Sequence, residues 1–341
     1  MTTVALDGRG AERGAQAIVA GVLDAAADGI GVRVFGDPTA LAELEGVNGV
    51  GLVLAPGEIT NSDEPVAAVR SRPEASIVCA ARDVSEGRSA ALASAGPTGA
   101  TMTAALFALR RMRGVRRPAL AVQLPGPGRK GPPCLLLDVG ANPDARAGDL
   151  IQFAYLGAAF SRAVLRVESP RVALLSVGEE ATKGTAAVVE AHARLASAKR
   201  IDFRGNVEGR DLLGNEVDVV VTDGFTGNVA LKTIEGTAKA VGAAVGAAAR
   251  SNPVAAAGGL LLRPALGGLR SRTDPDATGG AILLGLRGVA VVGHGSSGPE
   301  GIANAIRLAA RAVEERAVER TAELLEASGA TRAGLRDTSE G

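Results

Sequence analysis

Three features of the sequence predict an α/β/α sandwich built on a largely parallel sheet. Short apolar, β-branched runs alternate with amphipathic stretches of helical period almost from end to end. Several runs break into a glycine turn just before a helix, as where Val217–Thr222 meets Asp223-Gly224-Phe225-Thr226-Gly227-Asn228. The core must also be built from small residues. The 341-residue chain has no Trp, one Tyr and six Phe against 46 Gly, which suits tightly wound α/β layers better than a β-sandwich.

Taken in order, strand Thr3–Leu6 leads into helix Ala11–Ala27, followed by strands Val32–Phe35, Gly51–Leu54 and Ser76–Ala80. Strand Ala91–Ala95 passes through Gly96-Pro97-Thr98-Gly99 into helix Thr98–Met112. Strand Ala119–Gln123 precedes a Pro/Gly-rich surface loop, Leu124–Pro133. Strand Leu135–Val139 feeds helix Asp149–Leu165, and Arg171–Val177 feeds Thr185–Ala198. Ile201–Phe203 and Val217–Thr222 are the next strands, and helix Asn228–Ala248 follows. Strand Val289–Val292 and helix Gly301–Ala327 close the fold. The length admits two domains or one large unit. The continuous alternation favours one α/β/α domain over 1–327, with an irregular protruding segment at about 251–280 and a polar, frayed tail at 328–341.

Lys plus Arg and Asp plus Glu each total 37, so no global charge favours nucleic acid, and few aromatics are on hand to stack on bases. Cys79 and Cys134 lie in apolar runs and read as buried structural thiols. No Cys/His spacing suggests a metal, and no cofactor is expected. The chain enters a strand at once, without a charged leader, from which a cytoplasmic protein is expected. The apolar run Val254–Leu262 is far short of the roughly 20 residues a membrane span needs.

Five turns share one pattern: Gly96–Gly99, Asp138–Asn142, Gly178–Gly184, Asp223–Asn228 and Gly293–Ser297. If their strands were all parallel, the turns would open at one edge and could converge on one crevice. Together they offer glycine backbones (Gly96, Gly99, Gly178, Gly224, Gly227), hydroxyls (Thr98, Thr182, Ser296, Ser297) and the amides of Asn142 and Asn228. They add Asp223, Lys183, Lys232 one helical turn past Asn228, and His294. That set suits holding phosphate and stabilising an oxyanion. For the Asp223–Asn228 turn a second reading stands beside this one, a well-capped αβ unit with Asn228 as N-cap. Glu179 and Glu180 are read as helix-entry carboxylates, and Asp138 and Asp223 as orienting groups. No Walker pattern, first-turn G-x-G-x-x-G or G-x-S-x-G elbow is present, which argues against nucleotide binding and a covalent acyl-enzyme.

The runs LLDVGANPDARAGDLIQFAYLGAAFSR (136–162), LLSVGEEATKGT (174–185), FRGNVEGRDLLGNEVDVVVTDGFTGNVALKTIEG (203–236) and GGAILLGLRGVAVVGHGSS (279–297) resemble the bacterial phosphate acyltransferases of the PlsX type. The resemblance implies transfer of a fatty acyl group from acyl carrier protein to inorganic phosphate, giving acyl phosphate for phospholipid synthesis. It also implies the isopropylmalate dehydrogenase/phosphotransacetylase-like fold, a homodimer, no metal, and peripheral contact with an anionic membrane at its inner face. Lys183, Asn228 and His294 are then the candidate catalytic residues, with the remaining turn residues holding phosphate. Three turns depart from the family pattern. D-A-M-G-G-D becomes Asp7-Gly8-Arg9-Gly10-Ala11-Glu12, and S-x-G-N-T-G-A becomes Ser94-Ala95-Gly96-Pro97-Thr98-Gly99-Ala100. K-x-D-Y-x-x-Y-G-G-A becomes Arg272–Ala281. Two alternatives stay open: a phosphotransacetylase-like transferase using acyl-CoA, and a weakly catalytic paralogue serving as a scaffold.

Two surfaces carry the expected contacts. Helix Gly301–Ala327 repeats apolar residues at Ile302, Ile306, Ala309, Val313, Ala317 and Leu324, and helix Asn228–Ala248 is rich in Ala and Gly, so helices are expected at a dimer interface. Val254–Arg272 sets Val254, Leu260, Leu261, Leu262, Leu266 and Leu269 beside Arg250, Arg263, Arg270 and Arg272. That pattern suits either shallow insertion into an anionic interface or a hairpin packed on the partner subunit.

Overall fold

Val4, Leu6, Val32, Val34 and Leu92, like Leu135–Leu137 and Val219–Val221, are buried within strands covered on both faces, which is why they read as unbroken apolar runs. The computed structural model describes the chain except residues 127, 128, 130, 263–274 and 336–341. Eleven strands form one sheet: β1 Thr3–Asp7, β2 Gly31–Gly36, β3 Val50–Leu54, β4 Ala91–Ser94, β5 Ala119–Leu124, β6 Cys134–Leu137, β7 Arg171–Leu175, β8 Asp202–Val207, β9 Val219–Val221, β10 Ala281–Leu284 and β11 Val289–Val292. Their order is β3-β2-β1-β4-β11-β10-β5-β6-β9-β7-β8.

Helices cover both faces. On one lie α1 (Gly14–Ala27), α5 (Ala147–Ala163), α6 (Ala186–Ala196), α9 (Pro299–Glu314) and α10 (Ala317–Ser328). On the other lie α2 (Pro65–Ser71), α3 (Ser76–Ser85), α4 (Thr98–Leu109) and the start of α7 (Gly224–Ala249). A further helix, α8, runs over 253–262. The expected sandwich with a largely parallel sheet is therefore the fold. Most pairings are parallel; β11–β10, β10–β5 and β5–β6 are antiparallel.

Those three reversals correct one expectation. β1, β2, β3, β4, β11 and β5 run one way, and β10, β6, β9, β7 and β8 run the other. The five glycine turns consequently open at two opposite edges. Those after β4 and β11 share one edge; those after β6, β7 and β9 share the other. The two sets of turns part at the antiparallel β5–β6 pairing, whose two buried strands carry no sequence mark of their direction; β10 runs against both its neighbours, β11 and β5, which run the same way.

Other boundaries also move. Ser76–Ala80 is helical: Ser76, Ile77, Ala80 and Ala81 are buried at helical spacing, and a five-residue apolar run does not by itself separate strand from helix. The last helix is two, divided at Arg316, whose backbone is left-handed (φ 53°). Asp223 caps α7, accepting from the Thr226 amide, so Asn228 lies in the second turn and is not the N-cap. Of the segment at about 251–280 expected to be irregular and protruding, residues 253–262 are helical (α8) and Pro275–Thr278 form a 3-10 turn. Arg263, Leu266, Leu269, Arg270 and the Arg272-Thr273-Asp274 part of the third divergent turn lie outside the described residues, as does the tail from 336.

Candidate functional site

At the edge where β6, β9 and β7 end, Asp138 organises the backbone. Its carboxylate accepts the amides of Leu120 (3.0 Å), Gly140 (3.2 Å), Ala141 (2.9 Å) and Asn142 (2.6 Å), and the Asn142 side chain (2.8 Å). Burial raises the Asp138 pKa, and these donors pull the other way. The Asn142 amide group also donates to the Pro118 carbonyl at 2.7 Å, so both its hydrogens are spent on holding this turn. The Gly224 amide donates to the Asn142 carbonyl (2.8 Å), and Gly227 rests on the Asp138 carbonyl. Asp138 and Asp223 are thus orienting groups, and Asn228 stands exposed on the outer face of α7.

The β7 turn stands beside the start of α7, because Leu174 pairs with Val221. Gly178 is buried beneath Lys183, and Thr182 and Lys183 are exposed. Behind the turn, the Asn206 side chain donates to the Glu180 carbonyl at 2.9 Å, turning its own oxygen toward His192 Nδ1 at 3.0 Å. Since that amide oxygen only accepts, His192 carries its proton on Nδ1 in this arrangement. Glu179 pairs with Arg210 at 3.2 Å on the surface.

At the opposite edge the turns after β1, β4 and β11 interlock. The Gly293 amide donates to the Ser94 carbonyl (2.7 Å) and Glu12 to the Gly295 carbonyl (3.0 Å), while Gly10 lies against Gly96 and Pro97. Gly96 is buried, Thr98 is exposed at the first residue of α4, and Gly99 packs on Pro65. Ser297 is buried and donates to Asp276 at 2.8 Å, so its hydroxyl fixes the turn. His294 is exposed, its Nδ1 2.8 Å from Ser296 Oγ and its Nε2 3.4 Å from Lys232 Nζ; Lys232 also reaches Glu235 at 2.8 Å. The Ser296 backbone amide also donates to Nδ1, at 3.3 Å.

Helix α7 connects the two edges. From Asp223 to Lys232 it advances about 13 Å at 1.5 Å per residue, close to the length of a four-residue strand. It therefore starts where β9 ends and brings Lys232 to His294 at the other edge, with Asn228 one turn earlier on the same face. Lys232, His294, Ser296, Asn228 and the Lys183 turn offer cations, amides and hydroxyls along this helix. Gly96, Thr98 and Gly99 lie on the β4 side of the His294 end. Neither cysteine offers a ready thiolate: burial pushes Cys134 up to about 12 and also raises Cys79. Cys79 lies on a helix and is only partly buried, unlike the strand thiol expected; Cys134 is buried in β6.

Of the residues at these edges, His192 belongs to no motif, and Asp7 enters only as the first residue of the divergent D-A-M-G-G-D turn. It shares with Asp138 and Asp223 one further signal, a carboxylate ending an apolar strand.

The pattern of a family described as "Fatty acid synthesis protein" matches residues 2–320. A phosphate acyltransferase of Elusimicrobium minutum is 43% identical over 318 residues, covering 91% of this chain and 92% of the relative. One of Heliobacterium modesticaldum is 42% identical over 320 residues, covering 92% and 94%. Among solved structures, the EutD phosphotransacetylase from Staphylococcus aureus superposes with a TM-score of 0.57 at 17% identity, over 92% of this chain and 94% of that one. A phosphotransacetylase from Streptococcus pyogenes gives 0.58 at 15%, with the same coverage. Likeness at those identities concerns the fold.

Proposed function

Because the chain belongs to the phosphate acyltransferase family, we propose that it moves a fatty acyl group from acyl carrier protein to inorganic phosphate, giving acyl phosphate for phospholipid synthesis. A phosphate oxygen attacks the thioester carbonyl; the C–O bond forms, the C–S bond breaks, and the carrier leaves as a thiolate. A thiolate needs little proton assistance, because thiol pKa values are near neutral. The protein's task is then to hold two anionic partners together and to stabilise the carbonyl oxyanion. The observation that carries this reading is the contact of Lys232 with His294, one turn along α7 from Asn228. It sets a cation and an imidazole one helical turn from a carboxamide. Lys183, Asn228 and His294 are assigned to the transition-state charge, and Lys232, Ser296, Thr98 and the turn amides to phosphate. Asn142, Asp223 and Ser297 support the turns.

The donor is tested directly. Acyl phosphate is expected to form rapidly from acyl carrier protein thioester and slowly from the matching acyl-CoA. The reverse preference would transfer the chain to the phosphotransacetylase-like reading, and no product from either would favour the scaffold.

The reading includes a homodimer and peripheral attachment to the inner face of an anionic membrane. Val254, Leu260, Leu261 and Leu262 are exposed along α8, Val254 and Leu261 by more than four-fifths (83% and 82%). An apolar edge of this kind suits shallow insertion. No helix of the described residues is long and apolar enough to cross a membrane. Replacing Leu261 and Leu262 together with Glu is expected to release the protein from anionic vesicles in co-sedimentation while leaving it folded and dimeric. Undiminished binding would exclude α8 as the anchor.

A further inference from the structure

Asp7 ends β1 beneath the interlocked β4 and β11 turns and is almost wholly enclosed (3% exposed). Its carboxylate accepts Ser76 Oγ at 2.5 Å, Ser94 Oγ at 2.8 Å and the Arg9 amide at 3.2 Å. Ser94 passes this order on. A hydroxyl has one hydrogen, so donating it to Asp7 leaves the oxygen's lone pairs for the Gly96 amide (3.0 Å) and Thr101 Oγ1 (3.1 Å). Asp7 Oδ2 also lies directly under Gly96, 3.0 Å from where a Cβ would stand. The Gly293 amide binds the Ser94 carbonyl, so the residue that fixes Gly96 also braces the His294 turn. Pro97, next in line, has no amide hydrogen of its own.

We propose that Asp7 is a positioning residue for acyl transfer: its carboxylate, acting through Ser94, fixes the turn that opens α4 beside His294, and the enzyme works with that carboxylate ionised. This rests on the acyl-transfer reading above.

The charged group that acts on Asp7 is Glu58 beyond β3; Arg9 contributes its backbone amide, α3 and β4 present the hydroxyls of Ser76 and Ser94, and Thr101 of α4 bonds Ser94. Burial pushes the Asp7 carboxyl up to about 6; the Ser76, Ser94 and Arg9 donors oppose that rise, and Glu58 adds to it. A folded-state value above the unfolded one means the folded chain holds this proton more tightly. Its stabilising contribution is full below the unfolded value near 3.8 and is lost as pH rises through about 6. An ionised Asp7 at pH 8 therefore works against folding, as expected of a residue kept for function rather than packing.

The experiment compares the full-length protein with Asp7→Asn and Ser94→Ala between pH 5 and 9, following acyl-phosphate formation, phosphate binding by calorimetry and the melting temperature. In the parent, kcat/KM for phosphate, corrected for the ionisation of phosphate itself, is expected to fall below an ionisation near pH 6. Asp7→Asn should lack that limb, raise KM for phosphate about tenfold at pH 8 while kcat changes less, and melt higher than the parent at pH 8 but not at pH 5. An amide accepts through one atom only, so one serine loses its acceptor. Ser94→Ala removes a donor that lowers the Asp7 pKa, so it should raise KM similarly and move the limb to higher pH. A limb unchanged in both variants, or an Asp7→Asn protein less stable than the parent at pH 8, would overturn the proposal. If the parent forms no acyl phosphate, the acyl-transfer reading fails by itself. Phosphate affinity that is unaffected by both variants would then refute the role of Asp7.

Discussion

Alanine at Lys183 or at Asn228 is expected to cut acyl-phosphate formation by at least about 10²-fold, the scale of losing one oxyanion-type contact. The structure makes this a clean measurement, because neither side chain is spent on the fold. Lys183 is exposed over buried Gly178, and Asn228 is exposed in the second turn of α7, with Asp223 as the cap. Their replacement should leave the melting temperature within about a degree or two, as for surface substitutions away from caps and buried networks. Asn142 and Ser297 are the contrast. Both are buried and hydrogen-bonded to carboxylates, so activity lost on replacing them would be confounded with a loosened turn. Initial rates at saturating phosphate decide the matter. Near-parental activity in both variants, with folding intact, would remove these two residues from the chemistry and leave the Lys232–His294 end as the centre.

The sheet was legible because its strands are buried on both faces, so Leu135–Leu137 and Val219–Val221 announce themselves as apolar runs. Their direction was not. A parallel strand and an antiparallel one of four buried residues have the same composition, and nothing in Ala119–Leu124 or Cys134–Leu137 marks their pairing as antiparallel. The single-edge crevice failed for that reason. The turns themselves were found, but which of their polar groups face outward depends on partners far along the chain. Asn142 spends its amide on Pro118 and Asp138, and Ser297 spends its hydroxyl on Asp276; no local pattern distinguishes them from Asn228 and Ser296. His294 and Lys232 meet across 62 positions only because the rise of α7 matches the length of a strand. Ser76 opens a helix, and from there its hydroxyl reaches Asp7, a contact that a strand over Ser76–Ala80 does not suggest.

Gly227→Ala is expected to destabilise the protein by about 2 kcal/mol or more, although helix propensity alone predicts the reverse. In the interior of a helix Ala is favoured over Gly by up to about 1 kcal/mol. At Gly227 a Cβ would overlap the carbonyl oxygen of Asp138 and stand 2.9 Å from Thr222 Cγ2. The obstacle is backbone, held by the Asp138 carboxylate and its amide donors, so it cannot rotate aside as a side chain would. Overpacking of that kind costs about 1–3 kcal/mol, and here relief requires moving α7 away from β6. Gly236, two and a half turns further along the same helix, provides the control: beyond its own helix backbone and chain neighbours, no atom of the described residues lies within 4 Å of its added Cβ. Gly236→Ala should therefore be neutral or stabilising by up to about 1 kcal/mol. The pair separates intrinsic propensity from close approach within one helix, using urea or thermal unfolding of the two variants. Activity adds a second reading. Displacing the first turns of α7 shifts Asn228 and Lys232 together, so Gly227→Ala should lose turnover even at temperatures where it remains folded. A Gly227→Ala protein as stable and as active as Gly236→Ala would mean that α7 does not begin tight against the β6 turn.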